Sequence, residues 1–471
     1  MSAHAMESDA RPQGRGHGRH SYASPRFWLL PLLVLLLLGG AGTALYIGGL
    51  GSPGDHLRHF PLAVVTEDRG ATPADGGSPQ NLGQNITDQM RQGFSESDQI
   101  DLRVLSSDEA EDQLRKGQIH AAVLIPESFS ADALGLVSGA LSGTDVTRPS
   151  ITVYTNPQAG PLASSLATSA VDPALERANT GLGEQLTSAA QAAQGEARAE
   201  QERELAPLGL PAQVQQQLAP TVDGTAADLL RAPISVTTTA YETPPEGTAL
   251  GMGAFFYSVL LMVVGVSGSV AIHFLVDSRL GVAPVEMGPR FALGPRLQPA
   301  RWKTYLIKWG IVVLGALPTA GLMMWVASAV GMPIPHGGWF FLTTWLSIVT
   351  VSAVTTALIT LFGSIGMVLS LIYVVFMGLP AASGVVPLEA LPGFFTFIAP
   401  AEPLYHMTTA NRGVLYFDAQ ADAGVQSGII GMLILILIAV ALAMVFSVLY
   451  DRMFGRRRAE LVPAPAVSGQ A

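Results

Sequence analysis

The sequence predicts an α-helical integral membrane protein with six transmembrane helices, plus a large extracytoplasmic α/β domain with a helical arm between helices 1 and 2. Three observations predict it. Of 471 residues, 49 % are hydrophobic and only 13 % charged, too apolar for a soluble chain of this length. The apolar residues gather in blocks nearly free of charge. One polar stretch of 196 residues, Pro53 to Thr248, parts the first block from the rest and is long enough to fold alone.

The blocks are Trp28 to Leu50, Leu250 to Val276, Tyr305 to Val330, Trp339 to Leu379 and Ile429 to Leu449. Crossing about 30 Å of hydrocarbon at 1.5 Å per residue takes about 20 residues. Four blocks hold one helix each. The fourth block in order, at 41 residues, holds two (339–362 and 365–379), with its turn at Gly363 to Gly366. The first block contains a signal-peptide-like core, Leu32 to Leu38, but runs on through Ile47 and reads as an uncleaved anchor.

Orientation follows from the basic residues. Arg11, Arg15, Arg19 and Arg26 precede the first span; Arg452, Arg456, Arg457 and Arg458 follow the last. The connection 277–304 carries Arg279, Arg290, Arg296, Arg301 and Lys303, with Lys308 just inside the next span. These faces lie an even number of crossings apart, so the tails (1–27 and 453–471) and this loop are cytoplasmic, and the chain is a multi-pass protein of the cell membrane.

The insert then stands outside. Its 26 acidic and 11 basic residues give −15, more than the whole-chain −10, which argues against nucleic acid as a partner. With no cysteine, disulfides and thiolate chemistry are excluded. Leu62 to Val65, Ile100 to Leu105, Ile119 to Ile125 and Ser150 to Tyr154 read as strands. Asn81 to Phe94 has apolar residues four apart and reads as a helix; Ser107 begins a second and Ser128 a third. Strand and helix alternate, so 51–157 forms an α/β module. Residues 158–232, rich in Ala, Gln and Glu, read as a polar helical arm broken near Pro207 and Pro211. A strand at Ile234 to Thr239 and a linker to 249 return the chain to the membrane domain, 250–452.

Two of these segments carry a resemblance. Leu62 to Asp68 (LAVVTED) followed by Ala121 to Ser130 (AAVLIPESFS) resembles the Pip/YhgE-like membrane proteins and the related family shared with fungal nitrosoguanidine-resistance proteins. Both are grouped with the permeases of type-2 ABC exporters. Gly384 to Pro387, Leu391 to Phe395, Ala399 to Pro403 and Arg412 to Asp418 resemble the family's loop before its last span. The likeness covers about 28–60, 61–155 and 245–452, and the arm matches in character only. It implies a permease subunit, a homodimer or heterodimer among membrane lipids, exporting an amphipathic, lipid-like or toxic compound, with drug resistance as an outcome of export. Such permeases have no ATPase of their own. In agreement, none of the three lysines sits in a G-x-x-x-x-G-K-[ST] loop. A separate ATPase subunit would dock on the 277–304 loop, through Arg290, Arg296 and Arg301; the plainer reading is that these arginines only set topology.

No H-E-x-x-H, G-x-S-x-G or histidine cluster is present, so the sequence offers no catalytic, cofactor or metal site. The segment 380–418, with five prolines and with Phe394, Phe395 and Phe397 between them, is neither a span nor a polar loop and reads as re-entrant or interfacial. Within it Glu402 and His406 lie four apart, with Arg412 six further on, and form a candidate charged gate at the outer mouth. The plainer reading is hydrated interfacial residues. The alternative function is a non-transporting envelope receptor or scaffold, of the phage-adsorption or secretion-accessory type.

Overall fold

The computed structural model describes residues 25–50, 52–73, 77–96, 98–142, 144, 147–205, 224–295, 297 and 299–455. Arg296, Pro207, Pro211, the arginines of the first tail up to Arg19 and those from Arg456 onward lie outside them. The chain begins with helix α1 (Pro25–Leu50) and then forms a sheet module. Five strands, β1 (Phe60–Thr66), β2 (Ile100–Val104), β3 (Ala121–Ile125), β4 (Ser150–Thr155) and β5 (Ser235–Ala240), stand in the order β2-β1-β3-β4-β5. β1 is parallel to β2 and β3; β4 is antiparallel to β3 and parallel to β5. Six of the seven β1 residues are buried. A strand covered on both faces needs a continuous apolar run, which is what Phe60 to Val65 supplies.

Helix α2 (Leu82–Ser95) connects β1 to β2 and packs Leu82, Ile86 and Met90 on one face of the sheet. Helix α3 (Ser107–Arg115) connects β2 back to β3 and packs Ala110 and Leu114 on the other. Right-handed crossovers running in opposite directions must use opposite faces. The cap of α3 is Ser106, one residue before the expected serine, because only Ser106 has a glutamate at the third helical position. The Ser106 hydroxyl accepts from Glu109 N and the Glu109 carboxylate accepts from Ser106 N.

Helix α4 (Phe129–Ser142) and the 45-residue α5 (Pro161–Leu205) join α2 on its face, with α6 (Gly224–Arg231) beside them. Here the helix differs from a free polar arm. Ala163, Ala167, Val171, Leu175, Ala178, Leu182, Leu186 and Ala190 are all buried, three or four apart, so thirty residues of α5 form a covering layer of the module. Small residues hide this stripe from composition, and they also let the helix approach its neighbours closely. Only the part beyond Ala190 is mostly solvated.

The second half is helical: α7 (Gly253–Arg279), α8 (Arg301–Ala329), α9 (Gly337–Phe362), α10 (Ile365–Ala381), α11 (Gly393–Ile398), α12 (Pro403–Tyr416) and α13 (Gln426–Phe454). A hairpin of β6 (Val285–Met287) and β7 (Arg290–Ala292) joins α7 to α8. Among the described residues four helices are long and apolar enough to cross a membrane: α7, α8, α9 and α13, the last counted with the turn that precedes it. The apolar cores of α1 (Leu32–Leu45) and α10 (Ile365–Ala381) are shorter. α9 is the central helix, burying Thr343, Thr344, Ser347, Thr350, Ser352 and Thr355. Such hydroxyls are tolerated where they return to their own helix, as Thr350 does by donating to Leu346 O at 2.7 Å. α9 turns into α10 at Gly363, whose φ of +64° suits glycine, and a side chain at Gly366 would strike Leu358 O.

Candidate functional site

The segment after α10 is where module and helices meet. α10 widens into a π-helical turn at Leu371–Met377, a distortion often found where function needs an irregular helix. The chain then folds back through short turns set by prolines: Pro387 and Pro392 precede a turn and α11, and Pro400 and Pro403 occupy first-turn positions. Ala381, Val386, Ala390, Leu391, Phe395 and Ala399 form a small core of their own. Leu45 and Leu50 of α1, and Leu162 and Leu166 of α5, pack against it. α12 buries Leu404, Met407, Ala410 and Val414 in the core of the helical domain.

The three expected gate residues all lie on α12 or its cap, but they face different neighbours. Glu402, the cap residue, is wholly buried, and neither carboxylate oxygen has a hydrogen-bond partner among the described residues. Its Oε2 faces Gly378 of α10, at 3.2 Å from where a side-chain carbon would stand. Burial pushes this carboxyl well above the ordinary carboxylate range. His406 pairs its Nε2 with Pro400 O at 2.9 Å, and its ring fills the space left by Gly431 of α13. Arg412 donates to Ser383 O at 2.6 Å. Glu402 thus stands against α10 and His406 against α13, while Arg412 ties α12 to the returning loop.

The same segment receives the module. Glu389 O accepts from Arg58 N at 2.8 Å, and the Glu389 carboxylate stands 3.8 Å from His120 Nε2, an ion-pair distance. Burial would raise the Glu389 carboxyl, but His120, and Arg412 more weakly, outweigh it and hold it below its ordinary value. Lys116, at the end of α3, bridges Asp112 and Asp422 at 2.8 Å each. Asp112 first and Asp422 second raise its ammonium above the ordinary value. Beside it Gly117, at φ +65°, seats the ring of Phe417. Tyr416 donates to Thr248 O and accepts from Ala254 N, tying α12 to the start of α7.

At the far end of the helices the expected docking arginines also part company. Arg290 is exposed on the hairpin beside Phe291, which is 76 % exposed. Arg296 lies outside the described residues. Arg301 is committed: its guanidinium meets Asp451 at 2.6 Å and donates to Gly455 O, clamping α8 to the end of α13. Nearby is a group that sequence reasoning missed. Asp277 and Lys308, both buried, pair at 2.5 Å between α7 and α8, and His273 stands 3.4 Å from the same carboxylate and 2.9 Å from the ammonium. The signal was available: His273 and Asp277 are four apart at a helix end, opposite the single lysine placed inside a span. Among the described residues no group of three metal-ligating side chains stands together.

The two segments that carried the family likeness also meet. The Asp68 carboxylate, ending one, accepts from Ser130 N at 3.0 Å and Ser130 Oγ at 2.5 Å, ending the other, and from Gly83 N at 2.9 Å. One carboxylate therefore serves the first turns of both α2 and α4, where peptide N–H groups lack helical partners. Residues 25–280, which run from α1 through the whole module to α7, match the family model described as ABC-2 family transporter protein. The chain belongs to the ABC-2 transporter family. No curated protein and no solved structure matches it. For an ABC-2 family member the matched span is informative: it takes in the Asp68–Ser130 joint and the entire acidic module, not the helices alone.

Proposed function

We propose that this ABC-2 family member is the permease subunit of an exporter, moving an amphipathic, lipid-like or toxic compound outward on ATP hydrolysed by a separate subunit. In this reading α1 and α10 complete six spans, both tails are cytoplasmic, and the module is extracytoplasmic. The family match supports a permease, and the likeness to Pip/YhgE-like proteins supports outward transport. The observation that carries it is the returning segment 380–425. It is packed into the helical core through α12 and held to the module through Glu389, Phe417 and Asp422. A scaffold would not need its outer domain seated on the mouth of a helix bundle; a machine that relays motion across the membrane would.

The hairpin at 285–292 is the natural seat for the ATPase, since it offers Arg290 and Phe291 to solvent. Leucines 29, 32, 33 and 36 of α1 face outward, where lipid or a second subunit would cover them. The test is reconstitution in liposomes with a Walker-motif ATPase encoded beside it. Stimulated hydrolysis supports the reading; its absence with every plausible partner turns the assignment to an envelope scaffold.

A further inference from the structure

The two faces of the sheet are unequally covered. α2, α4 and α5 close one, and Val123, Ile125 and Val153 on that side are wholly buried. Among the described residues α3 is the one helix on the other. A nine-residue helix is about 14 Å long and about 10 Å wide, whereas five strands at about 4.8 Å spacing span about 20 Å. α3 lies over β1 and β3, so the β4–β5 side is left open. Side chains alternate along a strand, and in the observed register Ala122 stands opposite Tyr154, placing Leu124 and Tyr154 on the open face. Tyr241, just past β5, folds over the same face and anchors its N–H on Thr155 O at 2.9 Å.

The result is a cleft of about 280 Å³. Val65, Leu114 and Leu124 form its floor, the rings of Tyr154 and Tyr241 its walls, and Glu111 its rim. The last four of these are only partly buried or, for Glu111, exposed. The volume lies just under the ~300–1,000 Å³ usual for small-ligand sites, enough for a short alkyl chain or one ring system. The rim has a sign. The Glu111 carboxylate accepts from Tyr241 Oη at 3.1 Å, and Glu242 follows one residue on. The neighbouring cation, Arg115, is turned to Asp112 at 2.8 Å. Burial, Glu111 and Glu242 together raise the Tyr241 hydroxyl, as a negative rim should.

We propose that this cleft binds a cationic amphiphile, its apolar body on the sheet between Tyr154 and Tyr241 and its charged head at Glu111. Two tyrosine faces beside a carboxylate attract a soft cation, and an anion would meet Glu111 within a module of net charge −15. The site stands one short helix from the mouth, because the end of α3 rests on Asp422 and Phe417. As a holding site for cargo it rests on the export reading; as a binding site it does not.

The test uses the full chain in lipid nanodiscs and octyltrimethylammonium carrying a photoactivatable diazirine, with no ATP and no ATPase. Labelled peptides should map to 107–115, 122–124, 154 and 241, saturably, and unlabelled octyltrimethylammonium should compete where octyl sulfate does not. Glu111→Gln, at an exposed position, should weaken half-saturation about fivefold, and Leu124→Trp should fill the cleft and abolish labelling there. Labelling confined to the lipid-facing helices, equal competition by octyl sulfate, or indifference to Glu111→Gln would each overturn the proposal. Protection of these peptides by self-association instead of by the probe would overturn it in favour of a second copy. None of these outcomes depends on transport, so the export reading stands or falls separately.

Discussion

Gly117 offers a direct test of whether the module is seated on the mouth. Its φ is +65°, and alanine there costs about 1 kcal/mol from the left-handed backbone alone. The added methyl would stand 2.5 Å from Phe417 Cζ and 2.7 Å from Cε2. Ordinary carbon contacts begin near ~3.5 Å, so the ring must retreat by about 1 Å. Phe417 is 5 % exposed and packed in the helical core, leaving it nowhere to go. Overpacking of this kind adds about 1–3 kcal/mol, for a total of about 2–4 kcal/mol. Gly288 is the internal control: its φ is +59°, and among the described residues nothing lies within 4 Å of an added methyl. Chemical denaturation in mixed micelles should show Gly288→Ala costing about 1 kcal/mol and Gly117→Ala at least twice that. Phe417→Ala in the Gly117→Ala background removes the clash, so the double variant should be more stable than the sum of the singles predicts, by about 1–3 kcal/mol. Equal costs at Gly117 and Gly288, or simple additivity of Gly117→Ala with Phe417→Ala, would refute the seating.

Asp68→Ala strands Gly83 N and the Ser130 N–H and hydroxyl in a buried site, and should destabilise the module by about 3 kcal/mol on thermal unfolding, with Asp68→Asn losing less. Asp277→Asn leaves the buried Lys308 ammonium without its ion-pair partner and should cost about 3–5 kcal/mol, much of it recovered by Asp277→Asn with Lys308→Met; a double variant no better than the single counts against a buried ion pair. Glu402→Gln should change stability in a pH-dependent sense. A carboxyl raised above its ordinary 4.5 contributes fully below that pH and loses its contribution as pH rises through the raised value. The amide variant should therefore melt above the wild type at neutral pH, with the gap closing toward about pH 4.5; a gap independent of pH contradicts a buried, unpaired carboxyl. Arg290→Glu combined with Phe291→Ser should abolish co-purification of the ATPase without lowering the yield of the permease; unchanged recovery removes the hairpin as the docking site.

Much of the fold class was legible because each signal was local. Charge-poor blocks of helical length mark the apolar helices, and the β-branched runs at Leu62 to Val65 and Ala121 to Ile125 mark the strands at the middle of the sheet. α5 was legible as a helix but not as a core element, since its buried stripe is built largely from alanine, which reads as neutral in composition. The candidate site was legible only as a list. His406 and Arg412 lie on one short helix with Glu402 at its cap, yet each turns to a different neighbour, because Gly378, Gly431 and Ser383 approach from three separate elements.

The sequence by itself determined that this is a membrane-type helical chain carrying an acidic α/β module, because hydrophobic length, period and charge act over a few turns or a single strand. Tertiary structure alone decided which groups meet. Asp68 reaches Ser130 across 62 positions and Lys308 finds Asp277 across 31. Lys116 and Gly117 come to rest on Asp422 and Phe417 some 300 positions later. Such meetings depend on how the helices and the sheet pack as bodies. Hydrogen bonds and ion pairs are specific only within a few ångströms, and that distance is a property of the packed chain, not of the spacing along it.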